Sequence, residues 1–241
     1  CVLVLGACQS EGGGGDSSVP AERTRVLMDS GPPGDAAGPD AGAEGCVARY
    51  AEPGPSPVGV RTLEVDGSPV EVWFPAAAAG TERARYDMRE WLPAEAAASI
   101  PDEVAPIHET AAFTDVEPAA GRYPVVLFSH GLAGYRLQST FLYTHLASWG
   151  FIVVAPEHPE RGLTTILEAG VPSGDNAAAA LRGSLAGLLA SDLGAHVDRT
   201  RTAVGGHSMG TVAASQVAAD DEISAWFTLA GAGFGVGPAK P

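Results

Sequence analysis

Hydrophobic and polar positions first fall into a regular pattern at Val58. Gly59–Val65 and Val70–Phe74 alternate apolar and polar residues on either side of Asp66-Gly67, a dipeptide suited to the positive φ angles of a tight turn, and so predict an antiparallel hairpin. From Tyr123 onward the alternation gives way to short continuous apolar runs separated by amphipathic stretches. Val125-Val126-Leu127-Phe128 predicts a buried strand. A helix follows over Leu137–Trp149, with Leu137, Phe141, Leu142, His145, Leu146 and Trp149 along one face and Gly150 as its stop. Phe151–Ala155 predicts the next strand, Asn176–His196 a long helix, Arg201–Gly205 a strand, Thr211–Ala219 a helix rich in small residues, and Ile223–Leu229 a last strand. Strands alternating with helices in this way predict a mostly parallel α/β sheet, whose right-handed crossovers gather the chemistry-bearing loops on its carboxyl edge. Between hairpin and sheet, the alanine-rich segment 76–121 is irregular, with Pro93, Pro101, Pro106 and Pro118. A short helix is read over Ala84–Leu92, and the segment either shapes a substrate groove or is a surface insertion.

Ahead of Val58 no such pattern exists. Gln9–Pro57 is dominated by Gly, Pro, Ala, Asp, Glu and Ser, including Gly31-Pro32-Pro33-Gly34-Asp35, a composition that buries too little apolar surface to offset chain entropy. It reads as a flexible tether. Before it, Val2-Leu3-Val4-Leu5-Gly6-Ala7 is an apolar run too short to span a bilayer. Leu5-Gly6-Ala7-Cys8 resembles the lipobox of a bacterial lipoprotein signal, which implies cleavage before Cys8, lipidation of its thiol and a mature protein held on the outer side of a bacterial envelope membrane. The chain begins with Cys1 and lacks the charged segment that precedes such a run, so a clipped N-terminus is expected. The expected layout is a signal remnant over 1–7, a tether over 8–57 and an α/β domain over 58–241. The three cysteines, Cys1, Cys8 and Cys46, have a spacing that fits no metal site. In an oxidising compartment Cys46 is either free or paired with a partner outside this sequence.

Composition adds one exclusion. With 241 residues, 45% of them hydrophobic, the chain can build one sizeable core. Its 14 basic residues against 29 acidic ones give a formal net charge of −15, spread along the chain. Such a surface repels phosphate backbones and argues against nucleic acid as a partner. No cofactor is expected.

One loop of the predicted carboxyl edge carries a specific motif. Gly206-His207-Ser208-Met209-Gly210 fits the G-x-S-x-G nucleophile elbow and lies between a predicted strand and a predicted helix, the context that motif requires. An elbow serine sits at a strained backbone angle, so Gly206 and Gly210 must lack bulk where strand and helix meet. In a chain with 31 glycines the match alone is weak, and Ser208 by itself also fits an ordinary helix N-cap. The second half of a site stands upstream, where Ser129-His130-Gly131-Leu132-Ala133-Gly134 follows the Val125–Phe128 strand. An ester carbonyl attacked by Ser208 Oγ develops negative charge on its oxygen, which two backbone N–H groups about 3 Å away would stabilise. The amides of Met209 and Leu132 are the expected donors.

Together with His145-Leu146-Ala147-Ser148-Trp149-Gly150-Phe151-Ile152-Val153-Val154-Ala155-Pro156-Glu157-His158, the stretch Tyr123–Leu132 resembles the platelet-activating-factor acetylhydrolase branch of the α/β-hydrolases. It is also similar to dienelactone-hydrolase-like and cutinase-like bacterial esterases, whose elbows often read G-H-S-M-G. The resemblance runs from about Val58 to Phe234. It implies an α/β-hydrolase fold with an N-terminal hairpin, Ser208 as nucleophile, Leu132 and Met209 as oxyanion donors, and a lipid-like, acetyl or polyester ester as substrate.

Two departures accompany it. In the acetylhydrolases the catalytic acid follows the strand after the elbow helix, where this chain has Leu229-Ala230-Gly231-Ala232; and no histidine follows Ser208, although α/β-hydrolases order their triad as Ser, acid, His. The domain is therefore expected to be incomplete at its C-terminus, with acid and base beyond residue 241. Among the histidines present, His207 is expected to pack beside the nucleophile and His130 to fix the oxyanion loop. His145 is expected to face the sheet. His158 is the one substitute base, with a loop role favoured for it. Asp220, Asp221 and Glu222 read as solvated charges. The leading reading is an envelope-anchored serine esterase; its rival is a non-catalytic lipoprotein that keeps the fold as a binding module.

Overall fold

The computed structural model describes residues 49–104, 107–174 and 176–231. The lipobox with Cys8, the cysteine at Cys46 and most of the tether lie outside the described residues. Eight strands form one sheet: β1 (Val58–Val65), β2 (Ser68–Pro75), β3 (Arg83–Asp87), β4 (Ile107–Phe113), β5 (Tyr123–Ser129), β6 (Ile152–Pro156), β7 (Val197–His207) and β8 (Ala225–Leu229). Their spatial order is β3-β4-β1-β2-β6-β5-β7-β8. Helices among the described residues include α1 (Ala94–Ala98), α2 (Thr140–Ser148), α3 (Leu163–Ala169), α4 (Ala177–Ala190) and α5 (Gly210–Val217). No helix among the described residues is long and apolar enough to cross a membrane.

The apolar runs form the parallel half, β6-β5-β7-β8. Because successive strand residues point to opposite faces, Val125 and Leu127 enter one core with Ile152, Val154 and Val204, beneath Leu181, Leu185 and Leu188 of α4 and Ala213, Ala214 and Val217 of α5. Val126 and Phe128 enter the other with Val153, Ala155 and Ala203, beneath Tyr143 and Ala147 of α2. The hairpin forms as the alternation predicts. β1 and β2 pair antiparallel from Val58↔Pro75 to Val65↔Ser68, and the turn between them carries Asp66 at φ 52° and Gly67 at φ 76°. β2 then joins the parallel half through an antiparallel edge with β6.

Several expectations are corrected. The helix read over Ala84–Leu92 is a strand, β3, followed by a 3₁₀ turn over Met88–Trp91. Arg83-Ala84-Arg85 alternates exposed, buried, exposed, a period of two that alanine content had obscured. β3 pairs antiparallel with β4, an element the irregular segment concealed, and β4 adds to β1 at Val58↔Ala112 and Gly59↔Phe113. The segment thus supplies an edge of the main sheet. The helix read over Asn176–His196 ends at Ala190, with a 3₁₀ turn over Asp192–His196.

The face assigned to the helix after β5 is also different. The structure buries Tyr143, Thr144, Ala147 and Ser148 and leaves Phe141 72% exposed and His145 only partly buried. Tyr143 is held between Trp73 (ring centroids 4.6 Å apart) and Phe128 (5.3 Å), so aromatic packing sets the rotation of α2. Gly150 ends this stretch at φ 93°, as expected. Part of the stretch assigned to the tether is laid against the same helix end. The Gly54 N–H donates to Ser148 Oγ (2.7 Å), the Ser56 N–H to the Ser148 carbonyl (3.1 Å), and the Trp149 indole to the Glu52 carbonyl (3.0 Å).

This packing sets the order of two substitutions on α2. Tyr143→Ala is expected to cost about 3–5 kcal/mol, the range for truncating a buried aromatic ring, whereas Phe141→Ser should stay within about 0.5 kcal/mol. Urea unfolding of both variants measures the difference, and the face read from sequence would reverse the order.

Candidate active site

The elbow is built where β7 meets α5. β7 ends at His207, α5 begins at Gly210, and Ser208 between them sits at φ 51°, a left-handed conformation costly for a serine. Its neighbours hold it there. The Ser208 N–H donates to the Leu229 carbonyl of β8 (2.9 Å), and the Ser208 carbonyl accepts from the Thr211 N–H (3.0 Å) and the Thr211 hydroxyl (2.7 Å). A Cβ on Gly206 would overlap the Gly210 carbonyl, and one on Gly210 would overlap the carbonyls of Ser129 and His130. The two elbow glycines therefore permit strand, helix and the end of β5 to meet backbone to backbone.

The Ser129–Gly134 loop lies directly against this elbow. β5 and β7 run in parallel register with Ser129 beside Gly206. A Cβ on Gly131 would lie 3.1 Å from Ser208 Cβ and 3.2 Å from His207 Nδ1, so this loop's backbone abuts both residues. Leu132 and Met209 are both half-buried at this junction. Among the described residues neither amide N–H donates a hydrogen bond to protein, which leaves both available to an incoming oxygen. Ser208 itself is exposed, and among the described residues no side chain hydrogen-bonds its hydroxyl.

Beneath the loop lies a buried polar layer. Ser129, His130, His158 and Arg161 are each at most 1% exposed. Arg161 Nη2 donates to Ser129 Oγ (2.6 Å) and to the His130 carbonyl (2.8 Å). Ser129 Oγ lies 2.8 Å from His158 Nε2. Because guanidinium is only a donor, Ser129 Oγ accepts from Arg161 while also sharing a hydrogen bond with His158 Nε2. Burial, then the neighbouring His130 and Arg161, hold the His158 pKa well below its ordinary value. The expected loop role of His130 is met in the same layer: the His158 N–H donates to His130 Nε2 (3.1 Å) and His130 Nδ1 lies 2.9 Å from the Gly131 carbonyl. His158, for which a loop role is favoured, is buried with its Nε2 on Ser129 Oγ and makes no hydrogen bond to Ser208 among the described residues.

The layer continues outward through residues that had no motif to mark them. Glu157 Oε1 lies 3.1 Å from His130 Nε2, out of line for a hydrogen bond, while Glu157 Oε2 accepts from the Trp91 indole (2.9 Å) and from Arg136 Nη1 (3.2 Å). Arg136 also reaches Glu71 (3.2 Å), which is 3% exposed, and lies over the Trp91 ring at 5.1 Å. Burial pushes the Glu157 carboxyl up, but His130, the Trp91 indole and the Arg136 amide together hold it below its ordinary value. The one sequence signal for this layer was the run Glu157-His158-Pro159-Glu160-Arg161, charged residues directly after an apolar strand at the carboxyl edge. Among the described residues no group of three or more His, Cys, Asp or Glu side chains is placed to hold a metal ion.

A histidine whose folded pKa is depressed opposes proton uptake on folding, so stability is full above its unfolded pKa near 6.5 and falls as pH drops below it. Between pH 6.5 and 5.5 His158 should contribute a loss of about 1 kcal/mol. Urea unfolding at both pH values measures it; in His158→Gln the loss should shrink by about that amount.

Comparison with known proteins agrees with this architecture. A family model described as Chlorophyllase matches residues 86–236. A protein of Schizosaccharomyces pombe (strain 972), whose name proposes a phospholipase A2, is 33% identical over 100 residues, which is 42% of this chain and 22% of that protein. The structure of ferulic acid esterase from Streptomyces cinnamoneus superposes with a TM-score of 0.55 at 25% identity, covering 72% of this chain and 59% of that one. The chain thus spans about a fifth of the first protein and about three fifths of the second. With well over half its length inside the matched span and its sheet superposing on that of an esterase, this chain has the α/β-hydrolase fold and belongs to the chlorophyllase family.

Proposed function

We propose that this protein hydrolyses carboxylic esters through an acyl-enzyme formed on Ser208. The observation that carries the reading is the Ser208 backbone at φ 51° with the Gly131 loop against it, an arrangement that costs energy and has no use in a binding module. Family membership supports the reaction class. In the first step Ser208 Oγ bonds to the ester carbonyl carbon while its proton leaves to a base, and the carbonyl oxygen becomes an oxyanion facing the Leu132 and Met209 amides. The carbon–oxygen bond to the alcohol then breaks, the alcohol leaves with the proton, and water repeats the sequence to release the acid and restore the serine. His130 and His158 are not assigned as the base, because both rings are buried and neither is hydrogen-bonded to Ser208 among the described residues. The substrate class remains the lipid-like, acetyl or polyester esters that the sequence implies, and relatives named for phospholipase A2 and ferulic acid esterase lie within ester chemistry.

The test is hydrolysis of a panel of p-nitrophenyl esters of increasing acyl length, together with fluorophosphonate labelling. Ser208→Ala should abolish the label and lower kcat by about 10⁴-fold or more; a labelled or active Ser208→Ala protein would overturn the reading. The same proposal places the enzyme on an envelope membrane through acyl chains on Cys8. Metabolic labelling with palmitate should mark the full chain and be lost in Cys8→Ala, and equal labelling of both would refute the anchor.

A further inference from the structure

The buried Arg161 is not accounted for by the chemistry on Ser208. It is 0% exposed, and its guanidinium meets the two residues from which the oxyanion loop departs. The backbone around it is joined to the same loop. The Ala133 N–H donates to the Arg161 carbonyl (2.9 Å), the Leu163 N–H donates to the Gly134 carbonyl (3.1 Å), and Gly134 and Gly162 form a parallel bridge. Side chain and main chain of one residue therefore fix the loop at both ends, Ser129-His130 on one side of Leu132 and Ala133 on the other.

We propose that Arg161 is a positioning residue of the ester-hydrolysing site, its guanidinium and carbonyl together holding the Leu132 amide at the distance an oxyanion on Ser208 requires. This rests on the reading of Ser208 given above. The geometry leaves little slack, since a Cβ on Gly131 would lie 3.1 Å from Ser208 Cβ, so a shift of the loop by a fraction of an ångström changes the separation of nucleophile and donor. An oxyanion donor acts only on charge that appears in the transition state, so its misplacement lowers kcat and leaves substrate binding in place. Displacing a catalytic group by about 1 Å costs up to about 10²-fold in rate.

The contact is cut from both sides. Arg161→Lys keeps the charge but ends one bond short of Nη2, the single nitrogen that donates to both Ser129 Oγ and the His130 carbonyl; Ser129→Ala removes one acceptor with little change in volume. Each is compared with the parent protein on one p-nitrophenyl ester, with circular dichroism and Tm recorded alongside. Arg161→Lys should lower kcat by about 10²-fold and Ser129→Ala by about 10-fold, with KM within twofold. The double variant should lose little more than Arg161→Lys alone, since the two act as a unit. A boronic acid, whose adduct with a serine carries the oxyanion, should lose affinity by the same factors, while a non-covalent product acid should bind as before. If Arg161→Lys does not fold, Ser129→Ala decides the question alone. Unchanged kcat and unchanged boronate affinity, or a rise in KM alone, would overturn the proposal while leaving Ser208 untouched. Activity surviving in Ser208→Ala, run beside them, would instead overturn the underlying reading.

Discussion

The structure depends on one backbone contact, the meeting of Gly210 with the carbonyls of Ser129 and His130. There is no room at that point for a single methyl group. The contact lets the helix after β7 start immediately above the end of β5, which holds the intervening serine in a left-handed conformation with the Ser129–Gly134 loop against it. The sheet makes the contact possible and the double core makes the sheet. Val125 and Leu127 drive one face, Val126 and Phe128 the other, each buried side chain contributing on the order of 1.5–3 kcal/mol. That gain offsets the strain at Ser208, of order 1–3 kcal/mol.

The same account explains what was legible in the sequence. Strands buried on both faces leave continuous apolar runs, so β5, β6 and β7 could be read directly, and Asp66-Gly67 marked its turn because few residues tolerate two positive φ angles. The elbow was legible for the same steric reason. β3 and β4 were not, because each buries a single residue, Ala84 and Ala112, too small to register as apolar patterning. The rotation of α2 was not legible either. Phe141 and Tyr143 differ little as hydrophobes, and the choice between them falls to Trp73 and Phe128, which lie 70 and 15 residues away in the chain and are not visible in a local window.

The buried polar layer behaves differently from the apolar core. Glu71, Glu157, Arg136, His130, His158 and Arg161 would each cost several kcal/mol to bury alone. They are tolerated because their hydrogen-bonding groups are largely matched, and such a layer contributes less to stability than to definition, since only one arrangement satisfies its members. It lies where definition matters, between the sheet and the loop whose backbone abuts Ser208. Burial without a periodic signature is why this part of the site escaped the sequence, apart from the charged run after β6.

The strap at residues 52–56 has a directional consequence. It is fastened to Ser148 and Trp149, at the foot of α2, and α2 descends from the edge of the sheet that carries Ser208 to the opposite edge. Chain preceding the domain consequently joins it on the side remote from the elbow. A pull on the chain at that point would load the base of one helix and spare the serine.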